Sequence, residues 1–198
     1  MTPPAWVRPD ELKPAPAPLL LVQSFVNTRD LDLGTDLLAE ADTAISWLRQ
    51  SGLLGPAATA SAADLRAARE AREGIRALLA RNSRGSAPAA GDLRPLQAVA
   101  HASRPRLTVS PAGEVQLDPG PDGGLAGGLA GLLIIIRDAQ RDGTWQRLKV
   151  CGNDDCLWAF YDRSHSRRGA WCDMAACGNL IKNRNLRARR GSRARSAG

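Results

Sequence analysis

Four thiols fall inside one short stretch of a 198-residue chain, and none lies elsewhere: Cys151, Cys156, Cys172 and Cys177, spaced C-x4-C-x15-C-x4-C. Two close pairs separated by a dozen or more residues suit a tetrahedral four-thiolate zinc site, because each pair forms a tight knuckle and the connecting segment lets the knuckles face each other. Two disulfides would use the same residues. No basic start followed by an apolar run is visible at Met1-Thr-Pro-Pro, so a reducing, cytoplasmic setting is expected and disulfides fit poorly. The spacing therefore predicts one structural Zn2+ on all four sulfurs. Four thiolates leave no open position for water, which argues against a catalytic metal. The tripeptides Cys151-Gly152-Asn153 and Cys177-Gly178-Asn179 repeat. Gly and, less readily, Asn accept positive φ, so these turns are expected to aim backbone N–H groups at sulfur.

Between the pairs, Trp158 and Phe160 fall on one face of a strand, and with Trp171 they are expected to form the small core of a metal-stabilised module. His165 lies in the same segment and reads as a surface loop residue, since the cysteines already complete a metal shell. Beyond Cys177 the chain is arginine-rich. Residues 137–198 hold 14 Lys+Arg and 6 Asp+Glu, a balance of +8, while residues 1–136 hold 13 and 14, a balance of −1, which together give the net +7. A near-neutral body with a basic end suits contact with a polyanion. If residues 180–190 are helical, Arg184 and Arg187 share a face, Lys182 lies near Arg189, and Leu186 packs inward. Lys182, Arg184, Arg187, Arg189 and Arg190 are the candidate DNA contacts here, joined by Arg167 and Arg168 in the loop between the pairs. Residues 191–198 read as a basic, disordered tail.

The elements that must position these groups are mainly helical. Residues 1–18 are a proline-rich, irregular lead-in. LLLVQSFV follows, too short for its length to separate strand from helix. Helical spacing marks residues 36–50, with Gly52 as the stop. Ser61 and Asp64 form a capping box for a helix to about Arg81, with Leu65, Ala68, Ile75, Leu78 and Leu79 on one face and Arg66, Arg69, Arg72 and Arg76 on the other. Asp92 caps a third helix to about Ala102. RLTVSPAGEVQL reads as a hairpin, and Leu125, Leu129, Leu132, Leu133 and Ile136 mark a buried helix. The apolar runs at 19–22 and 125–136 are shorter than the roughly 20 residues a membrane span needs. The expected fold is mainly α with a small β-hairpin element in residues 19–145, followed by a small four-cysteine zinc-binding α+β module in residues 146–190.

RLKVCGNDDCLWAFYDRS followed by WCDMAACGN resembles the CGNR zinc finger over about residues 147–190, matching at both cysteine pairs and at Trp158, Phe160, Asp162, Ser164, Trp171, Met174, Gly178 and Asn179. SFVNTRD, ISWLRQSGLL and LRAAREAREGIRALL are similar to the ABATE domain over roughly residues 18–145. The resemblance implies a bacterial stress-induced transcription regulator, with the finger on DNA through a basic C-terminal helix. It also makes Asn27, Thr28 and Arg29, which match an ABATE signature, candidates for lining an effector pocket. Two positions depart from the family pattern: Leu180 stands where the motif has Arg, and Gly169-Ala170 where an arginine pair usually precedes Trp-Cys.

No phosphate-binding glycine loop, Ser/His/Asp set or carboxylate pair stands out, and His101 has no catalytic partner, so no enzyme activity is expected. The reading is a DNA-binding regulator with a possible small-molecule effector and no membrane association. The competing reading is a zinc-stabilised protein-interaction module whose arginines are peripheral.

Overall fold

The computed structural model describes residues 4–119, 123–184 and 186. The apolar run after the lead-in is helix α1 (Leu19–Val26). Its buried positions Leu19, Val22, Gln23 and Val26 stand at i, i+3, i+4 and i+7, so one turn-to-turn face meets the core. A two-residue strand pair follows, β1 (Arg29–Asp30) with β2 (Thr35–Asp36). The next helix, α2 (Ala41–Gln50), starts five residues later than the expected 36. Asp36 is held elsewhere: its carboxylate accepts from the Leu38 N–H and from the Arg72 guanidinium, which keeps residues 36–38 in a turn. Leu38 is buried from that turn, and Gly52 ends the helix segment at φ +76.

Helix α3 (Ala62–Arg84) carries the expected Ser61/Asp64 capping box and is the element against which α1, α2 and the later helices pack. Its arginines divide differently from expectation. Arg72 and Arg76 are 1% and 5% exposed on the core face, not on the solvent face. Helix α4 (Ala90–Ala102) begins before Asp92, so Asp92 is not its N-cap but accepts from the Ala89 N–H one turn back. Strands β3 (Arg106–Val109) and β4 (Val115–Asp118) form the expected hairpin, its apolar side chains Leu107, Val109 and Val115 exposed. Helix α5 (Leu125–Asp142) then returns to the core, burying Leu125, Leu129, Leu132 and Ile136. A Cβ on Gly128 would collide with the Leu53 carbonyl oxygen, so glycine is required for α5 to approach that loop.

A short turn, Trp145–Arg147, leads into β5 (Leu148–Val150), paired antiparallel with β6 (Ala159–Tyr161). Leu148, Val150, Ala159 and Tyr161 belong to the same hydrophobic core as the helices. The C-terminal end of α3 covers the free edge of β5: Asn82 donates to the carbonyls of Trp145 and Leu148, and Ser83 Oγ bonds both backbone groups of Val150. After the metal-binding segment, a wide helical turn, Met174–Gly178, continues into helical residues 179–184. Among the described residues no helix is long and apolar enough to cross a membrane.

Candidate metal centre

Each cysteine pair is placed by different surroundings. Cys151 leaves the end of β5 with its N–H on the Trp158 carbonyl, and Cys156 closes a turn in which Asn153 O accepts from the N–H groups of Cys156 and Leu157. Leu157 takes φ +49, and its carbonyl accepts from the buried Arg76 at 2.8 Å. Cys172 follows Trp171, while Cys177 lies in the Met174–Gly178 turn that Asp173 caps through the Ala175 N–H. The repeated glycines do not serve positive φ, because neither Gly152 nor Gly178 adopts it. Both instead face the Trp171 indole, where a Cβ would come within 3.1 Å of the ring at Gly152 and 3.2 Å at Gly178. The backbone N–H groups of Cys172 and Asn153 help to hold the Cys151 thiol down, and that of Trp158 acts in the same direction on Cys156. The Asn153 amide also reaches Cys177 Sγ at 3.8 Å.

The four sulfurs lie within 4.8 Å of one another, with Cys156–Cys172 at 3.7 Å and Cys172–Cys177 at 3.9 Å. A tetrahedron with Zn–S bonds of about 2.3 Å has edges of about 3.8 Å, so the spacing fits one zinc ion bound by four thiolates. The thiols also influence one another's ionisation. Hydrogen bonds from Cys156 and Cys172 hold Cys151 down at about 2, and giving up that bond pushes Cys156 up to about 12. One negative charge in the cluster discourages the next, and a divalent cation removes that repulsion. The chain thus carries one structural zinc site, and His165 lies exposed outside it.

The expected aromatic core of the finger is not formed by the three rings meeting. Among the described residues the one ring pair is Phe25 with Trp47. The lead-in covers the rings instead. Arg8 sits over Trp158 at 4.8 Å, and Lys13 over Phe160 at 5.1 Å. Lys13 Nζ also donates to the Trp171 carbonyl at 2.7 Å, and Glu11 accepts from Trp158 Nε1 at 3.1 Å. Burial pushes the Glu11 carboxyl up, only partly offset by hydrogen bonds from Lys13, Trp158 and Asn27. The sequence signal for this strap was weak, because proline-rich composition describes the backbone and not what it covers.

Asp162 and Lys149 organise the loop between the pairs. Lys149 Nζ meets Asp162 at 2.8 Å and the carbonyls of Arg167 and Gly169 at 2.5 and 3.3 Å. Asp162 accepts from the N–H groups of Ser164 and Gly169. Burial would raise its carboxyl, but Lys149 and these donors outweigh it and hold the group well below the usual carboxylate range. Gly169 stands at a point where a Cβ would lie 2.7 Å from the Asp162 carboxylate. The loop presents Arg167 and Arg168 to solvent.

Lys182 and Arg184 are exposed on the helical residues after Cys177, and Arg187, Arg189, Arg190 and the tail at 191–198 lie outside the described residues. Leu186 does not pack inward but is 48% exposed, as is Leu180 at 54%. Asn27 and Thr28 are buried with engaged side chains. Asn27 bonds both backbone groups of Ala159 and also Glu11, while Thr28 donates to Phe25 O and accepts from Arg72. Arg29 is exposed and lines a shallow cleft with Asp36, Arg69 and Glu73. The sequence reading sets Arg76 on the solvent face and so misses its place at this knuckle, although 65, 68, 72, 76 and 79 follow one helical spacing and are all buried on α3.

A cavity of about 170 Å³ opens beside the sulfurs of Cys156, Cys172 and Cys177, walled by carboxylates including Asp10, Asp30, Asp32 and Asp173.

Residues 20–140 match the sequence model of the ABATE family, described as "Putative stress-induced transcription regulator". Residues 147–190 match that of the CGNR zinc finger. A comparison with curated proteins produces no match.

Proposed function

The chain belongs to the ABATE family and ends in a CGNR zinc finger, and from that premise we propose that it is a cytoplasmic, non-enzymatic transcription regulator whose finger binds DNA while its helical domain responds to a ligand or partner. The observation that carries the reading is the state of the basic side chains around the metal centre. Arg167, Arg168, Lys182 and Arg184 are exposed, and among the described residues none of the four takes part in an ion pair. Two lie in the loop tied down by Lys149 and Asp162, and two on the helix that follows Cys177. Both elements depend on the zinc site or its immediate supports, so metal would set the geometry of the phosphate contacts. Arg29 and its cleft are the place where an effector could meet α3.

The test is binding of duplex DNA by the full-length zinc-loaded protein across a salt series, with and without chelator. Several phosphate contacts predict a log–log slope of about −0.9 per phosphate. Changing Arg167, Arg168, Lys182 and Arg184 together to Ala should flatten that slope and weaken binding uniformly across sequences. An unchanged slope in this variant would favour the protein-interaction reading.

A further inference from the structure

Exposure divides the four sulfur ligands unequally. Cys151 is fully enclosed and Cys156 is 8% exposed, whereas Cys172 and Cys177 are half-buried. The first pair is built onto β5 and β6, which share the core of the helices. The second pair sits on residues 172–178, next to two ties to the rest of the chain: Lys13 Nζ to Trp171 O and Gly152 N to Ala170 O. Cys156, Cys172 and Cys177 line the cavity beside the centre, where Asp32 and Asp173 stand with the Arg8-paired Asp10 and Asp30, a wall that favours small neutral molecules over anions.

We propose that Cys172 and Cys177 form an oxidation site for a neutral peroxide, closing to a disulfide that opens the zinc centre and frees the basic helical end while leaving the helical body folded. One thiolate sulfur attacks a peroxide oxygen, the O–O bond breaks and hydroxide leaves, giving a sulfenic acid. The second thiolate attacks that sulfur, the S–O bond breaks and a second hydroxide leaves. Two thiolates and one hydrogen peroxide become one disulfide and two hydroxides, with two electrons passing from sulfur to oxygen. The sulfurs stand 3.9 Å apart, with a loop of four residues to close. Reaching a bond of about 2.05 Å requires the intervening turn to rearrange. That turn, Met174–Gly178, leads into the residues carrying Lys182 and Arg184, so its opening detaches those cations from the body. With two ligands lost, a four-thiolate site no longer holds its ion.

The experiment titrates the full-length zinc-loaded protein with hydrogen peroxide. Released zinc is read with a chromogenic chelator, disulfides are mapped by differential alkylation and mass spectrometry, and helix content is followed by far-UV circular dichroism. The expected result is one zinc released per peroxide consumed, a Cys172–Cys177 disulfide with Cys151 and Cys156 recovered as thiols, and nearly unchanged helix signal. A disulfide that includes Cys151 or Cys156, or zinc kept until the helices melt, overturns the proposal. The acidic wall adds a second arm: reaction with peroxide should be insensitive to salt, while reaction with anionic oxidised glutathione should accelerate several-fold as salt is raised. A glutathione rate that falls with salt removes the acidic gate. Metal, thiols and helix content are read without DNA, so the result stands apart from the DNA-binding reading.

Discussion

Arg72 is the most enclosed charged side chain in the helical body, and its partners explain why it can be there. Its guanidinium meets Asp36 through two nitrogens at 2.6 and 2.8 Å, Glu73 at 2.9 Å and the Thr28 hydroxyl at 3.1 Å. A planar fork with fixed donors suits such an arrangement better than an ammonium would. Burial alone would raise the Asp36 carboxyl, but hydrogen bonds from Arg72 and Leu38 outweigh it and lower the group. Removing one member of a buried pair leaves the other uncompensated, so Asp36→Asn should destabilise the protein at neutral pH by on the order of 3 kcal/mol. Because the folded-state value is lowered, this contribution is present above the unfolded value of about 3.9 and is lost as pH falls through the folded one. Urea unfolding of wild type and variant from pH 7 downward should therefore show a gap that narrows only below about pH 4.

At the scale of elements, the glycines of α5 separate into those that packing demands and those it does not. Gly128 meets the Leu53 carbonyl, whereas a Cβ on Gly127 would meet nothing within 4 Å. Gly128→Ala forces α5 away from the loop after α2 and should cost about 1–3 kcal/mol. Gly127→Ala leaves the packing alone and should stabilise by roughly 0.5–1 kcal/mol through helix propensity. Thermal melts of the two variants moving in opposite directions would confirm the docking of α5; shifts of the same sign would contradict it. The β5–β6 pair shows a similar division by face. Leu148, Val150, Ala159 and Tyr161 point to the helices, and Lys149 and Phe160 to the strap and loop. One short sheet thus serves the body with one face and the metal centre with the other.

Across the whole molecule, residues 8–14 tie the start of the chain to its metal-binding end. Besides the Lys13 and Glu11 contacts, the Tyr161 N–H donates to Lys13 O at 2.9 Å and Arg163 donates to Pro14 O at 2.8 Å. These groups orient Trp158, Trp171 and the backbone beside the sulfurs, the role of outer partners that keep first ligands in place. Glu11→Ala with Lys13→Ala should therefore lower zinc affinity by roughly 10-fold, measured by competition with a chelator. An unchanged affinity would make the strap a passive cover. Arg76 of α3 adds a direct contact between the helical domain and the first knuckle, donating to the Leu157 carbonyl at 2.8 Å.

The cysteine spacing, the Ser61/Asp64 box, the 106–118 hairpin and the α5 pattern were legible in the sequence, because each rests on groups a few residues apart whose chemistry or periodicity is local. Length could not choose helix for residues 19–26, and the arginine count of α3 suggested a solvated face where two of its members are buried. What only the tertiary structure decided involves partners far apart in the chain: Arg72 with Asp36, Asn27 with Ala159, Lys13 with Trp171, and the two motif glycines against one indole. Burial of a charge or the need for a missing Cβ is set by what packs against it. A thiolate quartet announces its ion by ligand number and spacing, whereas the unequal exposure of its two halves follows from which half the helical core encloses.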